Sequence, residues 1–335
     1  MITPVANPEL EARIRLRLAS LTKPPGSLGR LEELALQVGL IQAIDMPSVG
    51  RKAMLLFCAD HGIVEEGVSP YPAEVTGQMV ANFRAGGAAI TVLCRQYGIE
   101  PVIVDMGVGR PTRNFAREPA MSRADAGQAM ETGSAHAADG EVLGAGEMGI
   151  GNSTAAAALL CAFTGMHPQD AAGRGTGLND AGVARKADVI ARALTLHRPD
   201  PKDALGVLAA LGGFEIAAIA GLIIGAARSR RIVVLDGFIS CSAALVVRAM
   251  EPAALDYVVY SHRSAERGHR RMLEALGARP LLDLDMRLGE GTGAAIGISL
   301  TESAIRLYRE MATFSSAGVS TGAETPAASP SGATH

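Results

Sequence analysis

Charge of one sign is missing from this sequence: 31 Lys and Arg stand against 34 Asp and Glu, a formal net charge of −3, with no dominant basic tract. Electrostatic capture of nucleic acid or of an anionic membrane needs such a tract, so that class of function is excluded. Long apolar runs are missing too. The longest uncharged one, residues 216–227 (IAAIAGLIIGAA), is too short to span a bilayer. Glu9, Glu11 and Arg13 arrive before any signal-peptide core could form. Cysteine is sparse. Cys58, Cys94, Cys161 and Cys241 lie scattered among apolar neighbours without metal-ligand spacing, and read as reduced, mostly buried thiols. The expectation is a soluble cytoplasmic protein.

What the chain has is length, aliphatic residues and glycine. Its 335 residues, 48% hydrophobic but only 4% aromatic and without Trp, suffice for one large or two modest domains with ample core. Thirty-nine glycines exceed the average share of about 7%, which points to many tight turns and close backbone approaches.

Apolar periodicity divides the chain into alternating helices and strands. Residues 8–21 carry apolar positions at helical spacing. Pro24-Pro25-Gly26 ends that helix, and Ser27 opens a second with Leu28, Leu31, Leu34 and Val38 on one face. Lys23 and Arg30 flank the turn, where they could reach a ligand or simply be solvated. Six short apolar segments read as strands: 53–58, 101–106, 142–145, 232–235, 257–260 and 281–284. Helical patterns lie between them, among them 122–138, 155–163, 179–196, 201–211 and 214–227, and a last one spans about 294–311. The tail from Ser315 is rich in Ser, Ala, Gly, Thr and Pro and is expected to be disordered. No hairpin signal joins the strands. The expected fold is therefore α/β, a mainly parallel six-stranded sheet with helices on both faces, Rossmann-like. Asp60, His61, Asp105, Glu147, Asp236, His262 and Glu290 all fall just after strands. Ligands of open α/β sheets bind outside the carboxyl ends of the strands, so periodicity alone gathers the candidate chemistry on one edge.

The stretch GEMGIGNST, residues 146–154, joins a strand to an Ala/Leu-rich helix. A glycine-rich turn in that setting aims backbone N–H groups at an anion. Asn152, Ser153 and Thr154 are each suited to cap the helix. Glu147 would repel a phosphate there unless it points elsewhere. A ligand with phosphate at one end and a group for Glu147 at the other reconciles the two; the bland alternative is a tight turn and nothing more. The run from Gly144 to Gly149 matches G-x-G-x-x-G, yet the acid expected about 20 residues on, Asp170, follows no strand, which disfavours a dinucleotide oxidoreductase. No P-loop, HExxH or Cys/His cluster occurs, and Asp60 and His61, adjacent at a strand end, point opposite ways; a metal site is not expected. Ser261, His262, Ser264 and His269 lack a G-x-S-x-G elbow and read as polar ligand contacts or caps. Glu290 is the sharpest candidate. It stands between Gly289 and Gly291, with Gly293 behind, and only an acid that approaches a ligand closely needs such a frame. The alternative is an acid stabilised by a helix N-terminus.

Several separated motifs together resemble one family, nicotinate-nucleotide–dimethylbenzimidazole phosphoribosyltransferase. They are LTKPPGSLGRLE, ADHGIVEEGVSPYPAEVT, GEMGIGNSTAAAA, GRGTGL, LGGFEIAAIAG, VVLDGFISCSAAL, SHRSAERGH and LLDLDMRLGEGTGAA, in family order from Leu21 to about Ala295. The resemblance implies transfer of the phosphoribosyl group of nicotinate mononucleotide to 5,6-dimethylbenzimidazole, giving α-ribazole 5′-phosphate and nicotinate. It implies inversion at the anomeric carbon, no metal and no cofactor, and a place in assembly of the lower ligand of cobalamin. It makes Glu290 the general base. Glu147, Met148, Gly149, Ile150, Gly151, Asn152 and Ser153 become the nucleotide loop, with Gly175, Thr176, Lys186 and Ser264 as further phosphate and ribose contacts. Ser69, Tyr71, Gln78 and Leu288 fall where the base pocket is built. A small helical domain from both chain ends (1–45 with 294–314), a sheet domain (46–293), a tail (315–335) and a homodimer are also implied. The apolar helices 201–211 and 214–227 would favour that dimer by their surplus apolar area, or else are simply internal. The rival function is a nucleotide-binding regulatory protein of the same fold that has lost catalysis; Glu290 and the intact GEMGIGN argue against it.

Overall fold

The computed structural model describes residues 2–320; residues 321–335, most of the expected tail, lie outside the described residues. The apolar runs become one parallel sheet of five strands: β1 (Lys52–Cys58), β2 (Glu100–Asp105), β3 (Val142–Met148), β4 (Ile232–Leu235) and β5 (Val258–Tyr260), in the order β2-β1-β3-β4-β5. A central parallel strand is covered on both faces, so its side chains must be apolar at consecutive positions. KAMLLFC in β1 and IVVL in β4 meet that demand, and both are buried from their apolar start to their end. The strand order reverses between β1 and β3, where diverging loops leave a crevice at the carboxyl edge.

Helices fill the connections. α1 (Pro8–Ser20) and α2 (Arg30–Gln42) precede the sheet; α3 (Val75–Ala85) and α4 (Ala89–Tyr97) link β1 to β2, and α5 (Arg123–Ala135) links β2 to β3. Between β3 and β4 run α6 (Asn152–Thr164), α7 (Pro168–Ala171), α8 (Asp180–His197), α9 (Ala204–Leu211) and α10 (Phe214–Arg228). α11 (Phe238–Met250) joins β4 to β5, and α12 (His269–Leu276), α13 (Thr292–Glu310) and α14 (Phe314–Ala317) follow. Met54 of β1 and Ile298 of α13 crowd Gly144 from one face of the sheet, while Phe57, of opposite parity, meets His136 beyond α5. The chain ends meet as well. Thr22 N–H donates to the Ala312 carbonyl (3.0 Å), and the Tyr308 hydroxyl donates to the Asp45 carbonyl (2.6 Å). No helix among the described residues is long and apolar enough to cross a membrane.

Two expectations change, and two open alternatives close. The segment 281–284 is not a sixth strand: it makes a single parallel bridge, Leu282 to His262. Pro280 brings no N–H to a ladder, and Leu284, between two aspartates, is 55% exposed, so only Leu281 and Leu282 stay half-buried beside the sheet. The surplus apolar area of α9 and α10 is internal, since residues 215–227 are all buried within this one chain, against α5 and α11. Residues 315–317, expected in the disordered tail, belong to α14, closed by a reciprocal capping box of Thr313 and Ser316. Lys23 is buried against Glu32 (2.8 Å) and Arg30 pairs with Glu33, so neither is free for a ligand.

Candidate active site

β3 runs on through Gly146 and Glu147 to Met148, paired with Leu56, Phe57 and Cys58 of β1. Gly146 stands inside a strand because the Glu290 carbonyl and the Leu56 side chain leave no room for a Cβ. The turn proper is Gly149-Ile150-Gly151. Gly151, at φ 99°, takes the N-cap of α6 instead of Asn152, Ser153 or Thr154. Glu147 therefore ends a strand and keeps clear of the turn, its carboxylate accepting from Asn152 Nδ2. The Ile150 N–H donates to Thr76 Oγ1 (3.1 Å), whereas among the described residues those of Gly149, Gly151 and Ser153 have no protein acceptor. Unpaired amides at a helix N-terminus attract an anion. Behind them lies Lys186 of α8, buried, donating to Ser153 Oγ (3.1 Å) and to the Gly173 carbonyl (3.3 Å). Burial lowers its pKa to about 8 against the pull of Glu266, so it remains largely cationic at neutral pH.

Facing this turn is the second acid. Gly289, Glu290 and Gly291 follow one another at φ 85°, 62° and 90°. Left-handed backbone costs a residue with a Cβ about 1–2 kcal/mol, and Glu290 bears that cost with Oε2 buried and unpartnered. Burial holds its carboxyl above the usual range, the Ile90 backbone N–H at the start of α4 opposes, and Asp236 pushes the same way as burial. Asp236, just past β4, accepts from the backbone N–H groups of Gly291 (3.0 Å), Gly293 (2.7 Å) and Ala294 (3.2 Å).

Glu147 through Ser153, Gly175, Thr176, Ser264, Ser69, Tyr71, Leu288 and Glu290 all line one cavity of about 640 Å³. Lys186 stands one layer behind it. Gln78 does not reach it: the residue is exposed, and α3 turns Val75 and Met79 inward instead. That pair is spaced i, i+4, so a helical reading of the segment could have picked it out. Arg287 was not singled out from sequence; it lines the cavity and donates to the Gly175 carbonyl (3.3 Å), tying the two glycine loops together. Asp236 and His262 also line it, and nothing local in the sequence marks which groups they meet. Tyr71 and Leu288, 49% and 60% exposed, form an apolar rim.

Such an edge belongs to α/β enzymes that grip a phosphorylated ligand by backbone amides and act on it with a carboxylate. Comparison with known proteins narrows the class. A family model described as Phosphoribosyltransferase matches residues 3–319. The nicotinate-nucleotide–dimethylbenzimidazole phosphoribosyltransferase of Cupriavidus necator is 52% identical over 343 residues, covering 96% of this chain and 98% of that protein. Its namesake in Geobacter metallireducens is 50% identical over 333 residues, covering 93% and 94%. The crystal structure of CobT from Thermus thermophilus matches with a TM-score of 0.89 at 44% identity, covering 94% of this chain and 100% of that one. The chain belongs to the nicotinate-nucleotide–dimethylbenzimidazole phosphoribosyltransferase family and is an enzyme of the glycosyltransferase type. The names of these relatives lend nothing to the alternative of an inactive regulatory protein.

Proposed function

We propose that the chain moves the phosphoribosyl group of nicotinate mononucleotide onto 5,6-dimethylbenzimidazole, giving α-ribazole 5′-phosphate and nicotinate in the assembly of cobalamin's nucleotide loop. The observation that carries this reading is Glu290, a buried carboxylate with an unpartnered oxygen on a left-handed turn facing the anion turn after β3. The phosphate rests on the amides of Gly149, Gly151 and Ser153, with Lys186 behind them and Gly175, Thr176 and Ser264 completing the phosphate and ribose contacts. The acceptor ring lies against Tyr71, Val75, Met79 and Leu288, beside Ser69; Gln78 has no place in the pocket. One ring nitrogen of the acceptor attacks the anomeric carbon from the face opposite nicotinate. The carbon–nitrogen bond to nicotinate breaks with its electron pair leaving on the pyridine nitrogen, and configuration inverts from β to α. The proton on the acceptor's other ring nitrogen passes to Glu290, which must lie within about 3 Å of it. A carboxylate with a raised pKa is a stronger base than an ordinary one and suits that task.

Incubation with nicotinate mononucleotide and a panel of purine, benzimidazole and phenolic acceptors, read by mass spectrometry, tests the reading. Absence of α-ribazole 5′-phosphate with dimethylbenzimidazole would sink it. To the same reading belong a small helical domain of α1, α2 and most of α13 (1–45 with 294–314), a sheet domain over 46–293, and a cytoplasmic homodimer with one site mainly within each subunit. A monomer by light scattering at micromolar concentration would remove the dimer.

A further inference from the structure

The turn that carries Glu290 is closed by the Thr292 N–H and hydroxyl, which both donate to the Gly289 carbonyl (3.1 and 2.9 Å), but those bonds do not tie it to the sheet. Three successive residues, Gly289, Glu290 and Gly291, have φ of 85°, 62° and 90°, and such backbone at a glutamate persists only where its surroundings over-determine it. The Glu290 side chain anchors the turn only through the Ile90 N–H at the start of α4, and its Oε2 is buried without a partner. Directly after it α13 begins with Gly291 as N-cap, which has no side chain to satisfy the first N–H groups of the helix. Apart from Thr292, whose N–H returns to Gly289, those groups go to Asp236, more than fifty residues earlier in the chain. Asp236 Oδ2 accepts from the Gly291 N–H (3.0 Å), and Oδ1 accepts from Gly293 (2.7 Å) and Ala294 (3.2 Å). The donor groups lie one, three and four residues beyond Glu290. Asp236 is itself fixed: it is buried, Leu235 before it pairs with Tyr260 of β5, and Ser261 Oγ donates to its carbonyl (2.9 Å).

We propose that Asp236 is a positioning residue for Glu290, taking the N–H groups of Gly291, Gly293 and Ala294 so that the left-handed turn holds the Glu290 carboxylate at a fixed place in the cavity. The proposal rests on Glu290 being the general base. Four groups face that carboxylate or its holder: Asp236 from β4, Glu147 from β3, the Ile90 N–H from α4, and His262, past β5, with Nδ1 3.8 Å from Asp236 Oδ1.

The test is D236N, which keeps the shape but sets amide hydrogens against backbone N–H groups and removes the charge. Its kcat should fall by about 10²-fold, the size of effect that misplacement of a reacting group produces. KM for nicotinate mononucleotide should change by less than about threefold, because the phosphate grip is untouched. The acid limb of the kcat–pH profile should move to lower pH, since loss of a neighbouring anion makes Glu290 easier to ionise. In an E290Q background D236N should cost nothing further. An equal loss in both backgrounds, or an unchanged kcat in the single variant, would overturn the proposal. D236S, whose hydroxyl is too short to take the place of either carboxylate oxygen, should lose kcat at least as much as D236N; if neither variant folded, Asp236 would be a determinant of the fold and the proposal would be wrong. Wild-type turnover in E290Q alone would remove the reading of Glu290 as base, and it does so without reference to any Asp236 variant.

Discussion

The two glutamates at the carboxyl edge of the sheet share a local sequence, Gly-Glu ahead of a helix, yet backbone and partners treat them differently. Glu147 lies in the last turnless stretch of β3 and accepts from Asn152, its position set by pairing with β1. Glu290 lies on left-handed backbone with Oε2 unpartnered. The two loops also interlock. A Cβ on Gly289 would sit 2.6 Å from Glu147 Oε1, and Gly146 has no room for one because of the Glu290 carbonyl. Burial, then Asp236 and Glu215, with Glu290 adding, push the Glu147 pKa up to about 8 against the pull of Asn152. Neighbouring buried acids do not all ionise together. The satisfied one, raised to about 8, keeps its proton at neutral pH, and on the proposed reading the anionic role falls to the other: a settled acid on a strand, a reactive one on a strained turn.

The sharpest break in that comparison is Glu290→Gln. It should fold, bind both substrates and lose at least about 10²-fold in kcat, the contribution expected of a general base. Turnover near that of the parent protein would end the assignment. Gly289→Ala should follow, with a kcat loss of roughly tenfold or more, because its Cβ meets Glu147 Oε1 and its φ of 85° disfavours any side chain. A crystal structure of the variant with both loops unmoved, together with full activity, would show the interlocking to be incidental.

Much of this edge was legible in the sequence because its signals are local. Consecutive apolar residues marked β1 and β4, and glycines on either side marked Glu290. What was not legible depends on contacts across long separations. Gly146 looked like turn sequence because turns and crowded strands both call for glycine, and only the Glu290 carbonyl pressing on it decides between them. Segment 281–284 had the composition of a strand but not the partners, and its pairing stops after Leu281 and Leu282. Gln78 matched the family's motif, whereas the helix that contains it turns Met79 and Val75 to the cavity. The three N–H groups that Asp236 accepts belong to a helix that starts 56 residues later, and no periodicity connects them.

A smaller effect separates the anion turn from both acids. Lys186→Met should raise KM for nicotinate mononucleotide by about tenfold while kcat changes less, because it removes the charge and the Ser153 support behind the phosphate turn rather than a group acting in the chemical step. Its charge is lost as pH rises through about 8, so nucleotide binding by the parent protein should weaken across that range and the variant should show no such decline. Calorimetry on each protein at pH 7 and pH 9 checks this, and equal pH dependence in the two would refute it.

The smallest effect on activity is expected from Glu147→Gln, which mimics the protonated acid and leaves an oxygen to accept from Asn152. Neutral-pH turnover should fall by less than about fivefold, against the large loss at Glu290. Stability separates the two forms of residue 147 more clearly. The folded pKa of Glu147 is raised from 4.5 to about 8, so the folded state binds its proton more tightly than the unfolded chain does. Protons bound in excess by the folded state mean that stability is intact below the unfolded value and is lost as pH rises from there through about 8. Glutamine has no proton to lose. The two proteins should therefore melt close together near pH 5, and the glutamine variant should melt progressively higher than its parent towards pH 8.5. Asp236 and Glu290 are present in both proteins, and their repulsion of an ionised Glu147 is part of the loss that glutamine removes. Parallel melting curves across that interval would mean that Glu147 ionises as an ordinary surface carboxylate, and the contrast between a settled and a reactive acid would fail at its settled end.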